Sequence, residues 1–175
     1  MSVKPTTPSS TATEASDDTM ARVRAIVAAV VDPEIPVLTL EDLGVLRGIE
    51  RQDGQIVVAL TPTYIGCPAT SAIRLAVEAA LAEAGLTQTR VVTRLSPAWS
   101  TDEISEAGRR KLKAFGIAPP LQAAPYRALF KDEEVACPRC GSTETVKISE
   151  FGSTACKAQW RCRACAEPFD YFKCI

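Results

Sequence analysis

Apolar and polar positions along the chain follow two periodicities, one typical of helices and one typical of strands. Val23, Val27 and Val30 recur at the spacing of a helix face, whereas the run IVVAL is typical of a buried strand. The pattern predicts helices over 19–31, 69–84 and 102–115, and strands over 44–50, 55–61 and 89–95. The dipeptide DG between the first two strands is typical of a hairpin turn. The order α-β-β-α-β-α predicts a small α+β domain.

The segments that flank this domain, which we place at 20–116, differ from it in composition. Residues 1–19 are rich in Ser, Thr and Pro and show no periodicity, so we expect a disordered tail. Three prolines in 117–130 predict a linker. Residues 131–175 carry six of the seven cysteines and are predicted to form a second domain.

Composition restricts the chemistry that the chain can perform. The 175 residues include no histidine, which excludes Ser-His-Asp and Cys-His catalysis, haem on histidine and di-iron sites built on Glu-x-x-His. The net charge is −1, and the longest apolar run has seven residues, so we expect neither a nucleic-acid partner nor a membrane partner. The N-terminus lacks the apolar segment of a secretory signal, and we expect a cytoplasmic protein.

Two CxxC motifs, separated by 21 residues, lie in the second domain: Cys137 with Cys140, and Cys162 with Cys165. Each motif directs two sulfur atoms toward one point, and two such motifs on facing hairpins are typical of a four-thiolate zinc ribbon. Zinc in a structural role is the expected metal, because a segment of this size buries too little apolar surface to fold alone. Rubredoxin-type iron and an iron–sulfur cluster are the alternatives for the same ligands.

The second domain contains two further cysteines. Cys156 follows a glycine turn and is a candidate additional functional thiol, whereas Cys174 is expected to be a packed or terminal thiol. Phe169, Tyr171 and Phe172 are expected to form the small core of the ribbon. Seven basic and seven acidic residues cancel in this domain, which leaves no net charge to neutralise phosphates.

The remaining cysteine lies in the first domain, just before a predicted helix. Pro68 is typical of a first helical position, so Cys67 is placed beside a helix N-terminus, where unpaired N–H groups and the helix dipole favour a thiolate. Thr70 is a competing cap. Asp32 and Glu34 lie in a loop that can present carboxylates near the same edge. The alternative for Cys67 is a small buried thiol. The alternatives for the two acids are a loop cap and a solvated charge.

Several long segments resemble a known family. The segments DPEIPVLTLEDLGVLRGI, LTPTYIGCPAT and LSPAWSTDEISEAGRRKLKAFGIAPP resemble the small domain family linked to metal–sulfur cluster assembly. The second domain has FGSTACKA between its motifs and the ending CxxCxEPFxYFK, and it resembles the branch of that family found in phenylacetate degradation. The resemblance covers residues 20–175.

The resemblance implies an accessory or maturation subunit of the ring-1,2-phenylacetyl-CoA epoxidase system in phenylacetate catabolism, and not a stand-alone enzyme. The implied partners are the oxygenase and reductase subunits of that system. Cys67 matches the central cysteine of the family, and Asp32 and Glu34 match its acidic loop. The four cysteines of the CxxC motifs match the ligands of the ribbon metal.

Two hypotheses about function follow. The first is the assembly or delivery of iron, or of an iron–sulfur cluster, to the oxygenase or the reductase through Cys67. Because one thiol cannot complete the coordination of a cluster, this hypothesis needs a homodimer or a partner to supply further ligands. The alternative is a structural or regulatory subunit that docks to the oxygenase complex without metal transfer.

Overall fold

The computed structural model describes residues 10–121 and 134–173, which form four helices and two sheets. The helices are α1 (Ser10–Ala29), α2 (Leu40–Leu43), α3 (Ala69–Glu83) and α4 (Glu106–Phe115). The strands are β1 (Leu46–Gln52), β2 (Gln55–Leu60), β3 (Thr89–Thr93), β4 (Ile117–Ala118), β5 (Thr145–Ser149), β6 (Lys157–Cys162) and β7 (Pro168–Phe172). Within the described ranges, no helix combines the length and the apolar character needed to cross a membrane.

The first sheet has the order β1-β2-β3 and confirms the predicted α+β class. β1 and β2 pair antiparallel around a turn in which Asp53 and Gly54 have φ values of 52° and 80°, as the DG dipeptide predicts. β2 and β3 pair parallel, with Val58 opposite Val91, because α3 carries the chain back between them. The core contains these fully buried side chains: Val23, Val27, Leu40, Val58, Val77 and Leu81.

The first helix begins earlier than the sequence predicts. α1 begins at Ser10, so the expected disorder of 1–19 is wrong from Ser10 onward, and residues 1–9 lie outside the described residues. Once a helix has nucleated, each further residue adds a hydrogen bond at little cost. The fully buried Val23 and Val27 provide the packed face on which this helix is stabilised.

The sequence pattern also missed the short helix α2, which has too few residues to show a period. Its first turn is closed by a capping box, in which the Thr39 hydroxyl accepts the Asp42 N–H and the Asp42 carboxylate accepts the Thr39 N–H. Gly44 ends the helix with a φ of 67°. A Cβ at Gly44 would lie 2.4 Å from the carbonyl oxygen of Glu103, so no larger residue fits there.

The predicted helix over 102–115 is divided into two parts. A 3-10 turn at Thr101–Glu103 comes first, and α4 begins only after Ile104, which has extended backbone and is 3% exposed. The Ser105 hydroxyl accepts the N–H of Gly108 at 2.9 Å and so caps α4. The prediction was wrong here because burial of Ile104 in the core favours a break in the helix.

The second sheet has the order β4-β7-β6-β5 and joins the two predicted domains. β5, β6 and β7 form an antiparallel ribbon, whereas β4 pairs parallel with β7. Ile117 and Ala118 in β4 are 5% and 1% exposed, so the predicted linker over 117–130 is wrong at its first two residues. They follow α4 directly and complete the ribbon sheet. Residues 122–130 of that prediction lie outside the described residues.

The aromatic residues of β7 divide between two cores. Phe169 and Tyr171 pack with Trp160 in the ribbon, as predicted. Phe172 instead belongs to the core of the first domain, where its ring centroid lies 6.1 Å from that of Trp99. Successive residues of a strand face opposite sides of the sheet, so Phe172 cannot share a face with Tyr171. The expectation that Phe172 belongs to the ribbon core is therefore wrong.

Candidate functional sites

The four cysteines of the CxxC motifs converge at one end of the ribbon. The Sγ atoms of Cys137 and Cys165 are 3.8 Å apart, and those of Cys140 and Cys162 are 3.6 Å apart. All four ligand atoms lie within 4.8 Å of one another. A tetrahedral site with metal–sulfur bonds of about 2.3 Å has sulfur–sulfur distances of about 3.8 Å. The four sulfur atoms therefore fit a metal ion without a change in the backbone.

Local turns position these sulfur atoms. Gly141, with a φ of 77°, closes the first motif by donating its N–H to the carbonyl of Cys137 at 2.9 Å. In the second motif, the Cys165 N–H donates to the Cys162 Sγ at 3.5 Å. This N–H is the largest of the interactions that lower the pKa of Cys162 to about 7. Donation to sulfur stabilises the thiolate that a metal requires.

A separate cleft lies between the first sheet and the ribbon, with a volume of about 570 Å³ including its open mouth. Most of the side chains that line it come from the loop after α1, from the loop after β2, from α3 and from the ribbon, and the others lie in or beside α2, β2 and β3. All three residues that the sequence predicts for iron transfer line this cleft: Asp32, Glu34 and Cys67. Cys156 and Phe172 are the ribbon residues in its wall.

Cys67 lies immediately before the start of α3. The helix begins at Ala69, and Pro68 is its N-cap residue, without a side-chain capping hydrogen bond. Thr70, the competing cap in the sequence, lies inside the helix. The Cys67 N–H donates to the Tyr64 carbonyl at 3.3 Å, which closes the loop. The side chain of Cys67 is half-buried. The predicted position beside a helix N-terminus is therefore found in the structure, with the thiol within reach of solvent.

Asp32 and Glu34 have different environments in the loop after α1. One oxygen of the Asp32 carboxylate accepts the N–H groups of Glu34 and Ile35, both at 2.8 Å, and Asp32 is 7% exposed. This pattern is an Asx turn, so Asp32 fixes the loop. The Asp32 N–H also donates to the Leu38 carbonyl at 2.9 Å. Glu34, held by this turn, directs its carboxylate toward the ribbon residue Cys156.

Cys156 is the second thiol of the cleft, and it comes from the loop between β5 and β6. Its Sγ lies 3.9 Å from Oε2 of Glu34 and 3.1 Å from the Thr154 hydroxyl. Cys156 is 4% exposed. Burial raises its pKa, and the nearby negative charge of Glu34 acts in the same direction, whereas the hydrogen bond with Thr154 opposes both. Cys174, the other cysteine outside the motifs, lies outside the described residues.

Sequence reasoning missed two polar residues near Cys67, Tyr64 and Thr61. Burial, followed by the neighbouring charges of Cys67 and Glu34, raises the pKa of Tyr64 to about 12. The Thr61 hydroxyl is buried and has no hydrogen-bond partner among the described residues, although Thr61 lines the cleft. The signal that could have found both was the segment TPTYIGCP, in which they precede Cys67.

Comparison with known proteins agrees with this division into two parts. Residues 20–93 match the family described as "Iron-sulfur cluster assembly protein", and residues 122–173 match the "PaaD zinc beta ribbon domain". A crystal structure of the domain of unknown function DUF59 from Bacillus anthracis is similar to the chain, with a TM-score of 0.50 and 24% identity over 55% of this chain and 92% of that one. The fold and sites thus define an iron–sulfur cluster assembly domain with an attached zinc ribbon.

A curated relative identifies the family more closely. Over 151 residues the chain is 48% identical to a protein of Escherichia coli (strain K12) that is named as one of the subunits of a "Putative 1,2-phenylacetyl-CoA epoxidase". The match covers 86% of this chain and 90% of the relative. The chain belongs to the PaaD family of phenylacetyl-CoA epoxidase subunits. The resemblance to the phenylacetate branch is confirmed.

Proposed function

We propose that the chain is an accessory subunit of a phenylacetyl-CoA epoxidase system, and that it assembles or delivers iron, or an iron–sulfur cluster, to the oxygenase or reductase subunit through Cys67. The observation that carries this proposal is the position of Cys67. Cys67 is half-buried beside the N-terminus of α3, where its sulfur can bind a metal and can still be reached by ligands of a second protein.

The acidic loop supports the same function. Because its carboxylate accepts two backbone N–H groups, Asp32 acts by holding the loop, whereas Glu34 supplies the carboxylate that faces the cleft. A carboxylate beside thiols adds negative charge that favours a cation in the cleft. The cargo would therefore meet both soft sulfur and hard oxygen ligands.

We assign zinc to the four-cysteine site of the ribbon, where its role is structural. The ribbon core contains few large side chains, chiefly Trp160, Phe169 and Tyr171, so a metal must supply much of its folding free energy. Zinc binds four thiolates in a closed tetrahedral site without redox chemistry, which suits a permanent structural role. One zinc per purified chain is the expected content, and stoichiometric iron in its place would overturn this assignment.

The test of the transfer function is the metal content of the partner. Epoxidase oxygenase and reductase subunits would be produced together with the wild-type chain or with Cys67→Ser, and their iron and sulfide content would be measured after purification. Ser71→Ala, an exposed change on the same helix, is the matched control. We expect the partner to lack iron when it is produced with Cys67→Ser, and to contain its normal iron when it is produced with the wild type or with Ser71→Ala. Normal partner iron and normal epoxidase activity with this variant would overturn the proposal.

A docking role is the second candidate, and the exposure of Ile65 favours it. Ile65 is 83% exposed in the loop that carries Cys67, where a large apolar side chain has no partner within the described residues. If docking alone is the function, Ile65→Asp should abolish copurification with the oxygenase, whereas Cys67→Ser should change neither copurification nor partner iron. Loss of partner iron with Cys67→Ser would overturn the docking hypothesis.

A further inference from the structure

The cleft contains a second thiol that comes from the other part of the molecule. Cys67 belongs to the loop before α3, whereas Cys156 belongs to the ribbon, and both line the same cleft together with Glu34. We propose that Cys67, Cys156 and Glu34 form one composite site for a thiophilic cation, in which the ribbon supplies the second thiolate. The proposal rests on the proposed function and names the ligands that one thiol alone leaves missing.

The donor atoms are suited to such a cation. Thiolates select iron–sulfur clusters and the softer first-row metals, and a carboxylate can complete a mixed coordination sphere. Two ligands on one tetrahedral ion, one through sulfur and one through oxygen, are separated by about 3.6 Å. The Glu34 Oε2 and the Cys156 Sγ are 3.9 Å apart, close to that separation. Cys67 lines the same cleft, but the three donor atoms do not all lie within 4.8 Å of one another, so the Cys67 side chain must turn toward the other two on binding. Binding would release the thiol protons, since the thiolate is the metal ligand.

An independent observation indicates that the cleft takes a polar ligand. Thr61 is 2% exposed, its hydroxyl has no hydrogen-bond partner within the described residues, and it lines the cleft. A buried hydroxyl without a partner destabilises the folded state, because it has lost its hydrogen bonds to water. A sulfide, a metal-bound water or a ligand oxygen in the cleft would accept its proton. This observation does not depend on the positions of the thiols.

The ribbon holds Cys156 in place through its backbone. The Cys156 carbonyl accepts the N–H of Lys173, just beyond β7, at 3.0 Å. On the other side of the loop, the Gly152 N–H donates to the Lys157 carbonyl at 2.7 Å. A Cβ at Gly152 would lie 2.7 Å from Oδ1 of Asp170, which leaves the loop little room to move. The second thiolate is therefore presented by a fixed loop of the ribbon sheet.

The test uses cobalt(II) as a spectroscopic probe, because bound thiolates give cobalt(II) an intense charge-transfer absorption. The full chain, with its ribbon metal in place and quantified throughout, would be titrated anaerobically. We expect one cobalt per chain without release of the ribbon metal. Cys156→Ser and Cys67→Ser should each lose about half of the absorption per cobalt and weaken binding by about tenfold or more, since even the loss of an outer-shell partner weakens metal sites to that extent.

Two further variants keep the test decisive. Ser153→Ala, which removes only the hydrogen bond of Ser153 to Asp170 in the same loop, should bind cobalt as the wild type does. Glu34→Gln should weaken binding while the thiolate absorption per bound cobalt is kept, which tests the site even if Cys156→Ser fails to fold. Unchanged cobalt affinity and absorption in a folded Cys156→Ser, or no cobalt binding by the wild type, would overturn the composite site.

The outcomes separate this proposal from the transfer function on which it rests. If Cys156→Ser binds cobalt normally while Cys67→Ser loses both cobalt and partner iron, the composite site is wrong and the transfer function stands. In that case Cys67 takes its other ligands from a second copy or from the partner. If partner iron is normal with Cys67→Ser, the transfer function itself is wrong, whatever the cobalt titration shows.

Discussion

Phe172 is the residue at which the coupling between the ribbon and the first domain can be measured. Its side chain is 1% exposed and lies in the core of the first domain, although β7 belongs to the ribbon sheet. Its ring is tilted by 56° to that of Trp99. We expect Phe172→Ala to destabilise the first domain, and not only the ribbon that carries the residue.

The magnitude follows from the burial of the ring. Replacing a buried phenylalanine with alanine costs about 3–5 kcal/mol, which combines the lost transfer free energy with the cavity left behind. The lost ring pair with Trp99 accounts for about 0.5–1.5 kcal/mol of this. Because Phe172 also lines the cleft, water can enter the space, so we expect the lower end, about 3 kcal/mol. For a chain of this size the melting temperature should fall by about 6–12 °C.

The chain offers a direct assay, because its two tryptophans report on the two parts separately. Trp99 is buried in the core of the first domain and Trp160 in the core of the ribbon. Urea unfolding would be followed by fluorescence in a Trp160→Phe background, where only Trp99 emits, and in a Trp99→Phe background, where only Trp160 emits. Phe151→Ala, at a residue that is 64% exposed, is the control; it loses the contact of its ring with the Lys173 ammonium, 4.5 Å from the ring centroid, and should cost about 0.5–1 kcal/mol.

One result would refute the packing argument. If Phe172→Ala lowers the midpoint reported by Trp160 and leaves the midpoint reported by Trp99 unchanged, Phe172 stabilises the ribbon alone. The two parts would then unfold independently, and the cleft between them would have no fixed geometry. A parallel shift of both midpoints is the result that the structure predicts.

Two further predictions concern charge and metal. Burial alone would raise the pKa of Asp42, but hydrogen bonds from Lys111 and Thr39 lower it below its ordinary value of 3.8. The stability that Asp42 contributes is therefore present above about pH 4 and is lost as the pH falls through the folded pKa. Thermal melts should show Asp42→Asn destabilised by about 1 kcal/mol at pH 7, and this difference should shrink as the pH falls below about 4. A difference that does not change with pH would contradict this. Removal of the ribbon metal by a chelator should shift the Trp160 emission to the red, and addition of zinc should reverse the shift. An unchanged emission in a metal-free chain would show that the ribbon folds without metal.

Much of the fold could be predicted from periodicity, because the long elements each bury one face. Val23 and Val27 mark the buried face of α1, and the apolar run of β2 marks a strand buried among its neighbours. Apart from α2, which is too short to show a period, the missed features depend on tertiary contacts. The division of the helix before Ser105 follows from the burial of Ile104, and that burial exists only once the core has formed.

Arg109 shows the same limit for a charged residue. A basic run such as GRRKLK near a helix C-terminus is typical of a solvated face. Arg109 is 8% exposed, and its guanidinium donates to the carbonyl oxygens of Thr101 and Pro120, both at 2.6 Å. These acceptors are backbone atoms of other segments, which no pattern of side chains can reveal.

The candidate sites could be predicted to different degrees for a related reason. The ribbon cysteines were evident because their spacing along the chain determines their geometry in space. Pro68 predicted the place of Cys67 beside a helix N-terminus, whereas its role as a site residue came only from the family resemblance. The place of Cys156 in the cleft could not be predicted, since Cys156 and Glu34 are separated by 122 positions along the chain. Their contact depends on how the ribbon packs against the first domain.

That packing also determines how the docking hypothesis must be tested. Deletion of residues 131–175 would remove the ribbon. The same deletion would take Phe172 from the core, Cys156 from the cleft and the strand that pairs with β4. Loss of partner binding by such a chain could not distinguish a missing docking surface from a damaged cleft. Exposed single changes, such as Ile65→Asp on the loop of Cys67 and Phe151→Ala on the ribbon, leave these contacts in place. Only variants of that kind can assign partner binding to one surface.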